Sequence, residues 1–178
     1  MSYRIAFDIK KIVSYFKKAE KVVVQHTDEG YFITDGVALF HFVNVPYELK
    51  HLTPPEKDKT YQIRKGDTEL IEGGLDCLNF WKTTWGNGEK TEIKPTKTLL
   101  EPEEGKLFRE LKAEGLTVCV NKRLLDTLST YVGDLESDYS FFTAGKDEPV
   151  GVMWGDANGY QAAIFMPYIT RYAIAWER

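Results

Sequence analysis

Residues 4–43 read RIAFDIKKIVSYFKKAEKVVVQHTDEGYFITDGVALFHFV, and a change of period within them decides the fold. Arg4-Ile5-Ala6-Phe7 is a short strand-like lead, and Asp8 is a side chain suited to cap a helix. Ile9, Ile12, Val13 and Phe16 then recur at i, i+3, i+4 and i+7, one apolar helical stripe. After Lys21 the period changes to that of strands. Val22 to His26 is one, Asp28-Glu29-Gly30 a turn, and Tyr31 to Thr34 the next. Asp35-Gly36 is a tight-hairpin dipeptide leading into a strand from Val37 to Val43. The order is β-α-β-β-β.

The same order is predicted for the C-terminal third. Leu116 to Val120 reads as a strand and Asn121 as a cap, followed by a helical stripe of Leu124, Leu125, Leu128, Tyr131 and Val132. Strands follow at Tyr139 to Thr143, Val150 to Trp154 and Tyr160 to Met166. Asp8 and Asn121 thus stand at equivalent points of an internal structural repeat. Between the repeats, Tyr61 to Lys65, Glu69 to Glu72 and Leu75 to Thr83 read as a meander. Thr91 to Pro102 reads as a connector, and Glu103 to Glu114 as a short helix closed by Gly115. The expected fold class is α+β: two β-α-β-β-β repeats, helices on one face of antiparallel sheets, with an inserted β-meander. A single domain spans 1–178, with repeat one at 1–45, the insertion at 46–115 and repeat two at 116–178.

Composition bounds the function. The chain has 178 residues, 43% hydrophobic and 28% charged, an ordinary globular balance able to build a core without metals or disulfides. Two cysteines, Cys77 and Cys119, are too few for a disulfide framework and suggest a reducing, cytoplasmic setting. The charged opening does not read as a secretory leader, and no apolar run is long enough to span a membrane. A net charge of −4 argues against a nucleic-acid binder that works by bulk charge.

No catalytic pattern emerges. His26, His41 and His51 have no metal-binding spacing, and Cys77 and Cys119 sit in apolar stretches. Nucleophile elbows, phosphate loops and dinucleotide fingerprints are missing. The acids Asp134, Glu136 and Asp138 read as a solvated connection rather than a calcium loop. The chain is therefore read as non-enzymatic, with no cofactor and no metal.

The charge is, however, segregated. On the first helix Lys10, Lys11, Lys17 and Lys18 occupy the arc opposite the apolar stripe, with Ser14 among them and Lys21 just beyond. Five lysines against two acids between Asp8 and Lys21 give +3, so the other residues carry −7. Such a row of point charges suits a phosphate backbone without reading bases. A lysine-rich solvent face is the plainer alternative. The second helix adds Lys122 and Arg123 but also Asp126.

The repeat resembles the building block of DNA sliding clamps, the polymerase processivity factors. The local likeness runs through Lys122-Arg123-Leu124-Leu125-Asp126-Thr127-Leu128, then Asp147-Glu148-Pro149-Val150-Gly151-Val152, then Ala162-Ala163-Ile164-Phe165-Met166-Pro167. The resemblance implies helices lining a channel for duplex DNA, contacted here by Lys10, Lys11, Ser14, Lys17, Lys18, Lys21 and Lys122. It also implies a role beside replication proteins. One domain cannot encircle DNA, so a homo-oligomer is expected with it. The alternative is a protein-interaction module of the same architecture that does not touch DNA. Its anchors would be Trp81 and Trp85 on the meander and Tyr172 and Trp176 in the tail.

Overall fold

A computed structural model describes residues 6–73, 76–86, 88–128, 135–155 and 160–168. Helix α1 (Ile9–Lys17) starts where Asp8, in extended conformation, accepts a hydrogen bond from the Lys11 backbone N–H at 3.1 Å. It stops after Lys17, because the β-branched run Val22-Val23-Val24 favours a strand. Strands β1 (Val22–Thr27), β2 (Gly30–Thr34) and β3 (Ala38–Phe42) form successive antiparallel hairpins. A 3-10 helix (Tyr47–Leu52) leads to β4 (Thr60–Arg64) and β5 (Asp67–Leu70), which extend the sheet beyond β1.

Three expectations fail in the next stretch. Leu75 to Thr83, read as a strand, belongs largely to helix α2 (Cys77–Gly86). Cys77, Trp81 and Trp85 stand four residues apart and turn one face onto Phe32, Leu39 and Ile164. Asp76 caps the helix by accepting from the Asn79 N–H at 3.0 Å, and buried Gln25 holds the same end by accepting from the Leu78 N–H at 2.9 Å. The expected connector at 91–102 is a long strand, β6 (Thr91–Glu103), and the expected helix at 103–114 is strand β7 (Lys106–Ala113). Gly105 at φ +77° and Gly115 at φ +69° make the tight turns on either side of β7, so Gly115 closes a hairpin and not a helix.

The rest follows the sequence more closely. Strand β8 (Leu116–Asn121) ends in Asn121, whose side chain accepts from the Arg123 N–H at 2.9 Å and starts α3 (Lys122–Leu125). Only four residues long, α3 covers the start of the expected stripe; Tyr131 and Val132 lie outside the described residues. A short α4 (Leu135–Asp138) precedes β9 (Tyr139–Thr143), β10 (Val150–Trp154) and β11 (Tyr160–Phe165). The protein is thus α+β, dominated by one 11-stranded antiparallel sheet in the order β5-β4-β1-β2-β3-β11-β10-β9-β6-β7-β8.

Alternation along the strands sorts their side chains to two faces. Val22, Val24, Phe40, Phe42 and Phe165 pack with Ile12, Tyr15 and Phe16 of α1 and with Leu124 and Leu125 of α3. The β6-β7-β8 ribbon adds Leu111, Val118 and Val120 to this larger core. Phe40, fully buried, is its hub, with ring centroids 5.4 Å from Phe7, 5.4 Å from Phe16 and 5.9 Å from Phe165. Val23, Phe32, Leu39 and Ile164 point to the other face, under α2. So α1 and α3 pack into the larger core, while α2 covers the smaller one.

Candidate nucleic-acid interface

Burial of Ile12, Tyr15 and Phe16 fixes which way α1 faces, and Lys10, Lys11, Ser14, Lys17 and Lys18 are left exposed. Lys10 and Lys17 are seven residues apart, about 10 Å along the axis. Lys18 is the C-cap residue, and Lys21 lies beyond the helix in the link to β1, also exposed. Lys21 therefore belongs to the cluster by proximity in the chain and not by helical phase.

The electrostatics set this face apart. Among the described residues none of Lys10, Lys11, Lys17, Lys18 and Lys21 forms an ion pair, although seven pairs exist elsewhere. The two nearby acids are engaged: Asp8 caps α1, and Glu20 accepts from Arg64 at 2.5 Å. Five cations without counter-charge on one exposed surface repel one another slightly and attract a polyanion.

Lys122 behaves differently from its expected role. Its ammonium donates to both carboxylate oxygens of Asp126, at 2.9 and 3.0 Å, so its charge is matched within α3. The neighbouring Arg123 instead continues the basic strip. It is exposed, and its guanidinium lies 5.3 Å from the centre of the Tyr15 ring, a cation–π contact from α3 to α1. The Tyr15 hydroxyl in turn donates to Asp35 at 2.5 Å; burial and that carboxylate push its pKa upward. Asp35 also accepts from the Val37 and Ala38 N–H groups, so Tyr15 is tied to the β2–β3 turn. Helical phase within one segment could not reveal a contact between two helices.

Of the aromatic anchors of the alternative reading, one is buried and one half-buried. Trp81 is only 4% exposed, wedged against Phe32, His41 and Trp85. Trp85 is half-buried, its ring lying so close over Gly151 that a Cβ there would come within 2.7 Å. Tyr172 and Trp176 lie outside the described residues.

Several of the reactive side chains are engaged, whereas His51, on the 3-10 helix, is exposed. His41 is buried and hydrogen-bonded at both ring nitrogens, and His26 stacks on Tyr31 at 4.0 Å. Burial pushes the Cys77 thiol up to about 12 and raises that of Cys119, so both stay protonated near neutrality. Both cysteines are free thiols. Among the described residues no three His, Cys, Asp or Glu side chains gather as metal ligands, and no helix is long and apolar enough to cross a membrane. A cavity of about 520 Å³, formed by residues far apart in the sequence, opens between Phe7, Phe42, Val43, Trp154 and Tyr160. No protein-family model, curated protein or solved structure matches the chain.

Proposed function

We propose that this protein is a non-enzymatic, DNA-associated protein of the sliding-clamp type, holding duplex DNA without sequence preference against α1. The observation that carries the reading is the gathering on one helix of four exposed lysines, Lys10, Lys11, Lys17 and Lys18, without ion pairs among the described residues. Lys57, Lys82 and Lys122 pair with acids, while Lys50, Lys65, Lys94, Lys97 and Lys146 also form no ion pair among those residues. Long, hydrated side chains of this kind neutralise phosphates while letting the duplex slide. Arg123 extends the contact onto α3.

The strand order supports the clamp-like repeat. Moving outward from the β3–β11 pair, the three strands after α1 run β3-β2-β1 and the last three run β11-β10-β9. Two copies of one unit about an approximate two-fold axis would produce that inversion. Helix α2, on the opposite face, is an addition the basic unit does not need. Encircling DNA requires several copies, so the reading includes a homo-oligomer and, beside it, replication proteins. The alternative of a DNA-free interaction module loses Trp81 to the core and keeps Trp85 half-buried.

The test is a titration of the protein against fluorescent duplex DNA at low salt, paired with its mass by gel filtration. The expected results are affinity that falls with salt by a log–log slope of about −0.9 per neutralised phosphate, and a closed oligomer. Absence of binding, or binding indifferent to salt, overturns the proposal.

A further inference from the structure

His41 is the one buried histidine among the described residues, and its surroundings hold more contacts than a neutral ring can satisfy. Its Nε2 lies 2.6 Å from the Glu29 carbonyl oxygen, which can only accept, so Nε2 carries a hydrogen. Its Nδ1 lies 2.8 Å from the Tyr160 hydroxyl oxygen, and that same hydroxyl is 2.6 Å from the carbonyl oxygen of His41 itself. Tyr160 has one proton and two acceptors in reach. A neutral imidazole and a phenol thus bring two protons to three close contacts.

An imidazolium brings the third. Nδ1–H then donates to the Tyr160 oxygen, and the Tyr160 proton is released to the His41 carbonyl with no movement of heavy atoms. The rings of Phe32, Trp81 and Tyr160, with centroids 4.8, 5.2 and 5.4 Å away, give the cation aromatic neighbours. Gly30, at φ +121°, has no side chain where a Cβ would sit 2.8 Å from Nε2. The charged groups on the packed elements are Glu29 at the head of β2 and Lys82 on α2, paired to each other at 2.7 Å. Burial holds His41 below its ordinary pKa, while the backbones of Glu29 and Gln161 and the charge of Glu29 push it back up.

We propose that His41 and Tyr160 form a proton-uptake site within the folded protein. On acidification one proton from solvent adds to His41 Nδ1, and Tyr160 changes from donor to acceptor at that nitrogen while donating to the His41 carbonyl. Both residues border the 520 Å³ cavity, so its lining turns from neutral to cationic. This inference is independent of DNA binding.

Long-range proton–nitrogen correlation spectra of the ¹⁵N-labelled full chain, taken from about pH 8 down to about pH 4.5, test it against the ordinary histidine midpoint near 6.5. The expected result is a neutral Nε2–H tautomer at high pH and protonation of Nδ1 at low pH while the amide spectrum stays folded. In Tyr160→Phe the midpoint should fall by about one unit, a tenfold weaker proton affinity, because the acceptor for Nδ1–H is gone. A neutral Nδ1–H tautomer, protonation only upon unfolding, or an unshifted midpoint in Tyr160→Phe would each overturn it. The wild-type titration decides the matter by itself if the variant does not fold.

Discussion

The two faces of the sheet are covered by helices with opposite habits. Helix α2 carries one charged residue, Lys82, and it is paired with Glu29; its large side chains turn inward onto Phe32, Leu39 and Ile164. Helix α1 is anchored equally well, by Ile12, Tyr15 and Phe16, yet leaves four lysines at its surface without an acid. Packing therefore does not explain the α1 charges, since α2 packs without any like them. The two helices thus differ in how their charge is matched, and that difference can be probed directly.

Substitutions on each face sharpen that contrast. Trp81→Ala should cost about 3–5 kcal/mol in urea unfolding, the loss of a large buried ring, with DNA affinity unchanged in the folded fraction. Reversing Lys10, Lys11, Lys17 and Lys18 to Glu should do the converse. Affinity for duplex DNA at low salt should fall by about 100-fold or more, roughly 2.7 kcal/mol, while the unfolding midpoint stays close to wild type. If the reversal unfolds the protein instead, the lysines are structural and the contrast between the faces collapses.

Smaller effects refine it. Gly30→Ala puts a Cβ 2.5 Å from the Phe42 carbonyl oxygen at a positive φ, and should cost about 1–3 kcal/mol by thermal or urea unfolding. Asp8→Ala removes the α1 cap and should cost about 1 kcal/mol, read by urea unfolding, with a modest drop in DNA affinity as the first turn frays. Lys82→Ala breaks only an exposed ion pair and should change stability by less than about 0.5 kcal/mol and leave DNA binding alone.

What the sequence disclosed depended on where each signal resides. The cap at Asp8, the stripe of α1, the hairpins β1 to β3 and the strands β9 to β11 are written in local spacing, and they form where expected. Strand β7 is not. Phe108 and Leu111 lie three apart among Glu, Lys, Arg and Ala, a helical spacing in helix-favouring company, and only pairing with β6 and β8 makes the segment extended. For α2 the four-residue spacing of Cys77, Trp81 and Trp85 was present, but the dense aromatics around it suit a strand as well. At the candidate interface the lysine arc was legible because it lies on one helix. The matching of Lys122 by Asp126 follows from a spacing of four, whereas the approach of Arg123 to Tyr15 comes from tertiary packing alone.

The sheet ends at β5, four residues long, every one exposed, with Asp67 and Glu69 among them. An open sheet edge is a template on which further chains can stack indefinitely. Here a second β5 laid alongside the first would crowd four carboxylates, two from each copy, onto one short edge, which opposes growth of the ladder. Added salt screens such repulsion, so the protein's colloidal stability in storage should be poorer at high ionic strength.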